Sequence, residues 1–239
     1  HNSNRIIIIT SEFFKNPLKQ YLKPPKAWSP LIRHFSYRLS RLFIHTCITP
    51  NQITSLSLLF GLAAGVACLY GNYTATLIGG ILLFVCYVLD NCDGEVARFK
   101  NMSSHFGMRF DTFVDWIVHS FFFACLGWGA TLTTGKEWWF WIGIVASLGG
   151  AINYGLELFQ NRTQLHASQL PPEDAMTRDD DTKMDRFVLN ARVVRSDFCF
   201  IVLFLSIVGM LWYILPPAAI GAQAYWCLQF TRSARRWHV

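Results

Sequence analysis

Apolar residues in this chain come in blocks of near-membrane length separated by polar joints. Six blocks can be marked, at 53–70, 73–89, 110–128, 138–158, 198–215 and 216–230. A helix rises about 1.5 Å per residue and needs about 20 residues to cross a hydrocarbon layer of about 30 Å. Several blocks are shorter than that, so their ends must continue through polar residues or the bilayer must thin around them. The second and third are the best placed to continue, because each runs directly into a tract of aspartates.

Ahead of the first block, residues 29–47 read SPLIRHFSYRLSRLFIHTC. At helical spacing this sets Leu31, Ile32, Phe35, Leu39, Leu42 and Phe43 on one stripe and Arg33, Arg38 and Arg41 on the other. Such a segment is expected to lie in a membrane interface as an amphipathic helix. Small residues recur inside the blocks as Gly61 and Gly65, Gly79 and Gly80, Gly127 and Gly129, and Gly149 and Gly150, which is how membrane helices approach closely.

Composition agrees with this pattern. The chain has 239 residues, 52% hydrophobic and only 15% charged, where a soluble domain carries about a quarter charged residues. Of the 21 Lys and Arg, only Lys136 falls in a joint on one side of the expected bundle. The positive-inside rule then places both termini and the aspartate tract in the cytoplasm. The expectation is an all-α membrane protein with six transmembrane helices, preceded by an interfacial helix. Residues 1–28 form an N-terminal arm whose start, HNSNRIIIIT, reads as trimmed or tag-derived, 29–47 the interfacial helix, 48–232 the six-helix domain and 233–239 a basic tail. Arg232, Arg235 and Arg236 suit lipid headgroups. The seven cysteines include no CxxC pair and read as small buried hydrophobes.

Chemistry concentrates between positions 90 and 115, DNCDGEVARFKNMSSHFGMRFDTFVD. An aspartate at the centre of a lipid-facing helix costs about 2.5–3.5 kcal/mol on insertion scales, so these carboxylates must face protein or a polar cavity. If the second helix continues through Phe99, Asp90, Asp93 and Ala97 share a face. Gly107, Asp111 and Asp115, spaced by four, share a face of the third. Four carboxylates in one small volume repel unless a cation lies between them. All-oxygen donors suit Mg²⁺, Mn²⁺ or Ca²⁺, and the number of carboxylates allows two ions. Gly94, Ala97 and Gly107 keep bulk away from the backbone, and Arg98 offers a fork suited to phosphate oxygens. His119, one turn beyond Asp115, serves either packing or proton transfer.

These residues match, without a gap or substitution, the pattern D-x2-D-G-x2-A-R-x8-G-x3-D-x3-D of the CDP-alcohol phosphotransferases. The chain resembles that family from about residue 29 to 232, including the Pro50-Asn51-x-x-Thr54 opening of the first helix. The resemblance implies transfer of a phosphoalcohol group from a CDP-linked donor to an alcohol acceptor, with release of CMP. It implies Mg²⁺ or Mn²⁺, two ions per site, held by Asp90, Asp93 and Asp111. Asp115 would be a further ligand or the general base. Gly94, Ala97, Arg98 and Gly107 would shape the nucleotide and diphosphate pocket, with Asn51 and Thr54 nearby. A homodimer in contact with membrane lipids and without a nucleic-acid partner is expected, in a prokaryotic cell membrane with the site facing the cytoplasm.

Glu95 and Lys100 within the tract are similar to the branch that uses inositol phosphate. For the acceptor cavity, Glu157, with Asn153 and Tyr154, and the pair Arg192 and Arg195 are the candidates. The run Asp179–Asp181 reads as a solvated loop. Intramembrane aspartates also occur in divalent cation transporters, the alternative reading. Against it, the acids lie at block ends rather than mid-block, and the opposite halves of the blocks carry no ionisable residues to continue a path.

Overall fold

The computed structural model describes residues 30–167 and 198–236, and every regular element among them is helical. In chain order these are α1 (Ile32–Ile44), α2 (Pro50–Leu69), α3 (Tyr73–Phe99), α4 (His105–Thr134), α5 (Trp138–Ala167), α6 (Phe198–Val208), a 3-10 turn (Leu211–Ile214) and α7 (Leu215–Arg236). Helices α2, α3 and α4, with 20, 27 and 30 residues, are long and apolar enough to cross a membrane. Shorter apolar stretches lie at Trp138–Ile152 of α5 and in α6.

Local chemistry explains the helix starts. Pro50 opens α2 behind Thr49, whose side chain accepts from the Gln52 N–H while the Gln52 side chain accepts from the Thr49 N–H. Asn72 caps α3 by accepting from Ala75 N at 2.8 Å. As expected, α3 carries on through the aspartate tract to Phe99. Helix α4 begins at His105, ahead of its apolar block, because the Ser104 hydroxyl accepts from Gly107 N at 3.0 Å.

One block divides differently from its sequence reading. Residues 198–215 do not form a single span, because α6 stops at Val208 and Gly209 turns the chain at φ 77°. Gly209 N donates to Ser206 O at 3.1 Å and Met210 N to Leu205 O at 2.9 Å, a helix end that requires the left-handed conformation glycine adopts freely. The 3-10 turn then leads into α7, which starts at Leu215. Apolar residues continue across this break, so periodicity carries no sign of it.

In the bundle α2 packs on both α3 and α4, α4 on α5, α5 on α7, and α6 on α3. Leu83, Val114, Val118, Phe122 and Leu126 are fully buried at its centre. Close approach depends on missing side chains. A Cβ on Gly129 would lie 2.0 Å from the Cys68 carbonyl oxygen, and one on Gly143 would lie 2.6 Å from that of Phe123. Of the seven cysteines, all free, five are buried, and Cys47 and Cys227 are exposed.

Helix α1 is shorter than its expected bounds and lies on α3. Its buried face is Ile32, Ser36 and Ser40, with Leu39 and Phe43 partly buried against the core. Leu31 and Leu42 point outward, 58% and 66% exposed. The expected apolar stripe therefore splits between the bundle and the outside, and two serines supply the close contact.

Substituting Gly129→Ala is expected to destabilise the bundle by about 1–3 kcal/mol through overpacking against rigid backbone. Gly155→Ala, with nothing within 4 Å of the added carbon, should be neutral. Thermal unfolding in detergent compares the two.

Candidate active site

Helices α3 and α4 each pack on α2, and their ends at the short link between them bring the acids together. Asp90, Asp93 and Asp111 each offer an oxygen within 4.8 Å of the others. Asp90 and Asp111 are in side-chain hydrogen-bond contact, and Asp115 is near enough for its charge to act on Asp90. Two carboxyl groups meet at that distance only with a proton or a cation between them. Charges at this spacing repel by on the order of 3–4 kcal/mol per pair at an effective dielectric constant of about 20. Three such pairs approach the whole folding stability of an ordinary domain, about 5–15 kcal/mol. An all-oxygen donor set this dense therefore fits a divalent cation, and a hard one.

Asp93 is the most enclosed of these acids, 5% exposed, and it accepts a hydrogen bond from the hydroxyl of Thr54. Thr54 is itself buried on α2, and its hydroxyl also lies 3.1 Å from Pro50 O, a turn earlier in the helix. That contact draws the N-terminal turn of α2 into the site. Asn51, from the same turn, reaches Gly107 on α4, where a Cβ would sit 3.2 Å from Asn51 Oδ1. On α3, Arg98 is exposed and folds back so that its guanidinium lies 3.4 Å from where a Cβ on Gly94 would be. Ala97 is half-buried on the same turn. Three helices thus frame one small volume, walled by carboxylates on one side, with an arginine at its margin.

Of the residues that helical spacing grouped, Asp90, Asp93 and Asp111 lie together, and two neighbours in the tract turn elsewhere. Glu95 faces α1, where its Oε1 accepts from Ser36 Oγ at 2.9 Å. Lys100 donates to the carbonyls of Thr46 and Ile48 at 2.8 and 2.7 Å, tying the end of α3 to the link before α2. Both hold the frame rather than facing the acids. The contact between Tyr87 and His119 was not foreseen. The Tyr87 hydroxyl lies 2.5 Å from His119 Nε2, and His119 Nδ1 lies 2.6 Å from the Asp115 carbonyl oxygen. Tyr87 precedes Asp90 by three positions, so helical spacing already put it on the acidic face. A tyrosine in an apolar block gives no other signal.

Of the proposed acceptor cavity, Arg192 and Arg195 lie outside the described residues, as do the acidic run at 179–181 and the side chains of Glu157 and Asn153. Tyr154 is described, and its ring stacks on Trp116 with centroids 4.9 Å apart.

Comparison with known proteins agrees with this geometry. Residues 47–228 match the family model for CDP-alcohol phosphatidyltransferase. Curated relatives include the bifunctional IPC transferase and DIPP synthase of Thermococcus kodakarensis, 31% identical over 131 residues, 54% of this chain and 28% of that protein. The protein of the same name from Aquifex aeolicus is 31% identical over 132 residues, 54% of this chain and 29% of its own length. A third, from Archaeoglobus fulgidus, is 31% identical over 94 residues, 39% of this chain and 18% of that protein. These matches span less than a third of each relative. With the family model covering most of the chain and the aspartates converging as its motif requires, this chain belongs to the CDP-alcohol phosphatidyltransferase family.

Proposed function

We propose that the chain is a membrane-embedded transferase that moves a phosphoalcohol group from a CDP-linked donor to the hydroxyl of an alcohol acceptor, releasing CMP. The observation that carries this reading is the convergence of Asp90, Asp93 and Asp111 within 4.8 Å at the end of a membrane-length helix pair. On this reading the chain crosses the membrane six times, with both termini and the site on the cytoplasmic side, in a prokaryotic cell membrane. Two copies associate.

Asp90, Asp93, Asp111 and Asp115 would hold Mg²⁺ or Mn²⁺, two ions when fully loaded. When bound, the metal neutralises the diphosphate and stabilises the departing phosphate oxygen. The chain's own residues do the rest. Arg98 pairs with phosphate oxygens at the margin, and Gly94, Ala97 and Gly107 leave room for the nucleotide beside the backbone. Asn51 supplies a polar edge next to Gly107, and Thr54 holds Asp93 in one orientation. The acceptor oxygen bonds to the phosphorus that carries the alcohol, and the bridging bond to the CMP phosphate breaks with its electron pair. The acceptor proton passes to the Asp115 carboxylate.

Similarity to relatives named IPC transferase and DIPP synthase supports an inositol phosphate as one substrate; on this reading Arg192, Arg195 and Glu157 would line the acceptor cavity. Paired arginines suit the phosphate of such a molecule.

Purified protein in Mn²⁺ or Mg²⁺ should release CMP from a CDP-linked donor only when an acceptor is added, and chelation with EDTA should abolish release. Asp93→Asn and Asp111→Asn are each expected to lower the rate by about 10²-fold or more, the scale of a lost transition-state charge contact. Undiminished turnover in either would remove the ligand assignment. Uptake of Mn²⁺ into sealed vesicles without any nucleotide would assign the acids to transport instead. Thr54→Val should cost about tenfold, the scale for losing a partner that orients a ligand, and Thr54→Ser should restore most of it.

A further inference from the structure

Beneath the acids lies a polar pair that the transfer reaction does not use. Tyr87 stands one turn from Asp90 on α3, and His119 one turn from Asp115 on α4. Their rings meet edge to face with centroids 5.5 Å apart. One of the two hydrogen bonds has a fixed direction. A carbonyl oxygen cannot donate, so the contact of 2.6 Å between His119 Nδ1 and Asp115 O requires a hydrogen on Nδ1. The other ring nitrogen, Nε2, then meets the Tyr87 hydroxyl at 2.5 Å, so both ring nitrogens have a partner. Tyr87 is 9% exposed, and the residues below the pair, Val118 and Phe122, are 2% and 1% exposed. A hydroxyl or ring nitrogen buried here without a partner would be costly, so each group holds the other in place.

We propose that Tyr87 and His119 form a cross-brace that fixes the distance between the two carboxylate-bearing helices and so sets the metal affinity of the site. His119 is a positioning residue, because both its ring nitrogens are engaged with protein and neither faces an incoming hydroxyl. It acts through the backbone of Asp115, whose carbonyl it grips, and Tyr87 carries that grip across to the turn below Asp90. Repulsion between the acids of α3 and those of α4 acts one turn above this point, so the brace opposes that force where it acts. This inference rests on the reading of the acids as a divalent metal site.

Direct Mn²⁺ binding by electron paramagnetic resonance, on nucleotide-free protein in detergent, gives a readout independent of turnover. Tyr87→Phe and His119→Ala are each expected to weaken Mn²⁺ binding about tenfold, the scale for second-layer partners of metal ligands. The double variant should be no weaker than His119→Ala alone, since one brace is lost only once. At saturating Mn²⁺, donor KM should be unchanged and the pH profile of kcat should keep its shape. Thermal unfolding without metal identifies any variant that fails to fold, and Tyr87→Phe, which keeps ring and volume, is the one to weigh. Wild-type Mn²⁺ affinity in Tyr87→Phe and His119→Ala would overturn the brace and leave the metal site standing. A pH profile that loses an ionisation only in His119→Ala would also overturn it, making the histidine a proton carrier. Absence of Mn²⁺ binding by the unaltered protein would overturn the metal reading, and the brace with it.

Discussion

Carboxylates on two adjacent membrane helices push those helices apart, and the architecture around the site is arranged against that push. Asp90 and Asp93 on α3 meet Asp111 of α4 within a span of 4.8 Å, so two of the three close carboxylate pairs push across the gap between the helices. Cations relieve it when bound, but the helices must already be close for a cation to bind. Apolar burial between them cannot supply this alone, because membrane helices gain little from leaving lipid for one another. The structure supplies it through α2, which packs on both helices and sends Thr54 to Asp93 and Asn51 to the edge of Gly107. Its glycines at 61 and 65 receive Val118 and Phe121 of α4.

The turn between α3 and α4 makes the same point at shorter range. Lys100 ends α3 with its N–H on Val96 O and its ammonium on the carbonyls of Thr46 and Ile48. Asn101 takes φ 53°, a conformation asparagine tolerates better than most residues, and Ser104 starts the next helix. A link this short fixes how far each helix can slide past the other. The register of the four acids is therefore set by the turn and only then used by the ligand.

Much of this was legible in the sequence because it rests on spacing along single helices. Asp90 and Asp93, or Gly107, Asp111 and Asp115, share faces by geometry that any α-helix imposes, and the polar interruption of two apolar blocks marks where those faces lie. What spacing cannot give is the partner across a gap. The Tyr87–His119 contact, the Ser36 hydroxyl on Glu95 and the split stripe of α1 all depend on how two helices meet, and hydropathy treats each helix separately. The break at Gly209 was hidden for another reason: residues on both sides of it are apolar, so a turn stabilised entirely by backbone hydrogen bonds leaves no polar mark.

Polarity along α3 and α4 falls in steps away from the site. On α4 the sequence runs Asp111, Asp115, His119, then the buried Phe122 and Leu126; on α3 it runs Asp93, Asp90, Tyr87, then Leu83. Across the two helices Asp90 meets Asp111 and Tyr87 meets His119, so at these levels the polarities match. A shift of one residue on either helix would rotate its acids by about 100° away from their partners. Charged groups would then meet apolar ones, where the cost of an unpartnered polar group is a few kcal/mol. The fixed separation of the acids in the motif is thus a requirement of packing as well as of ligand geometry. Tyr87 and His119 stand at the step where the polar volume ends, amphipathic enough to satisfy one another and to close the site from the apolar core.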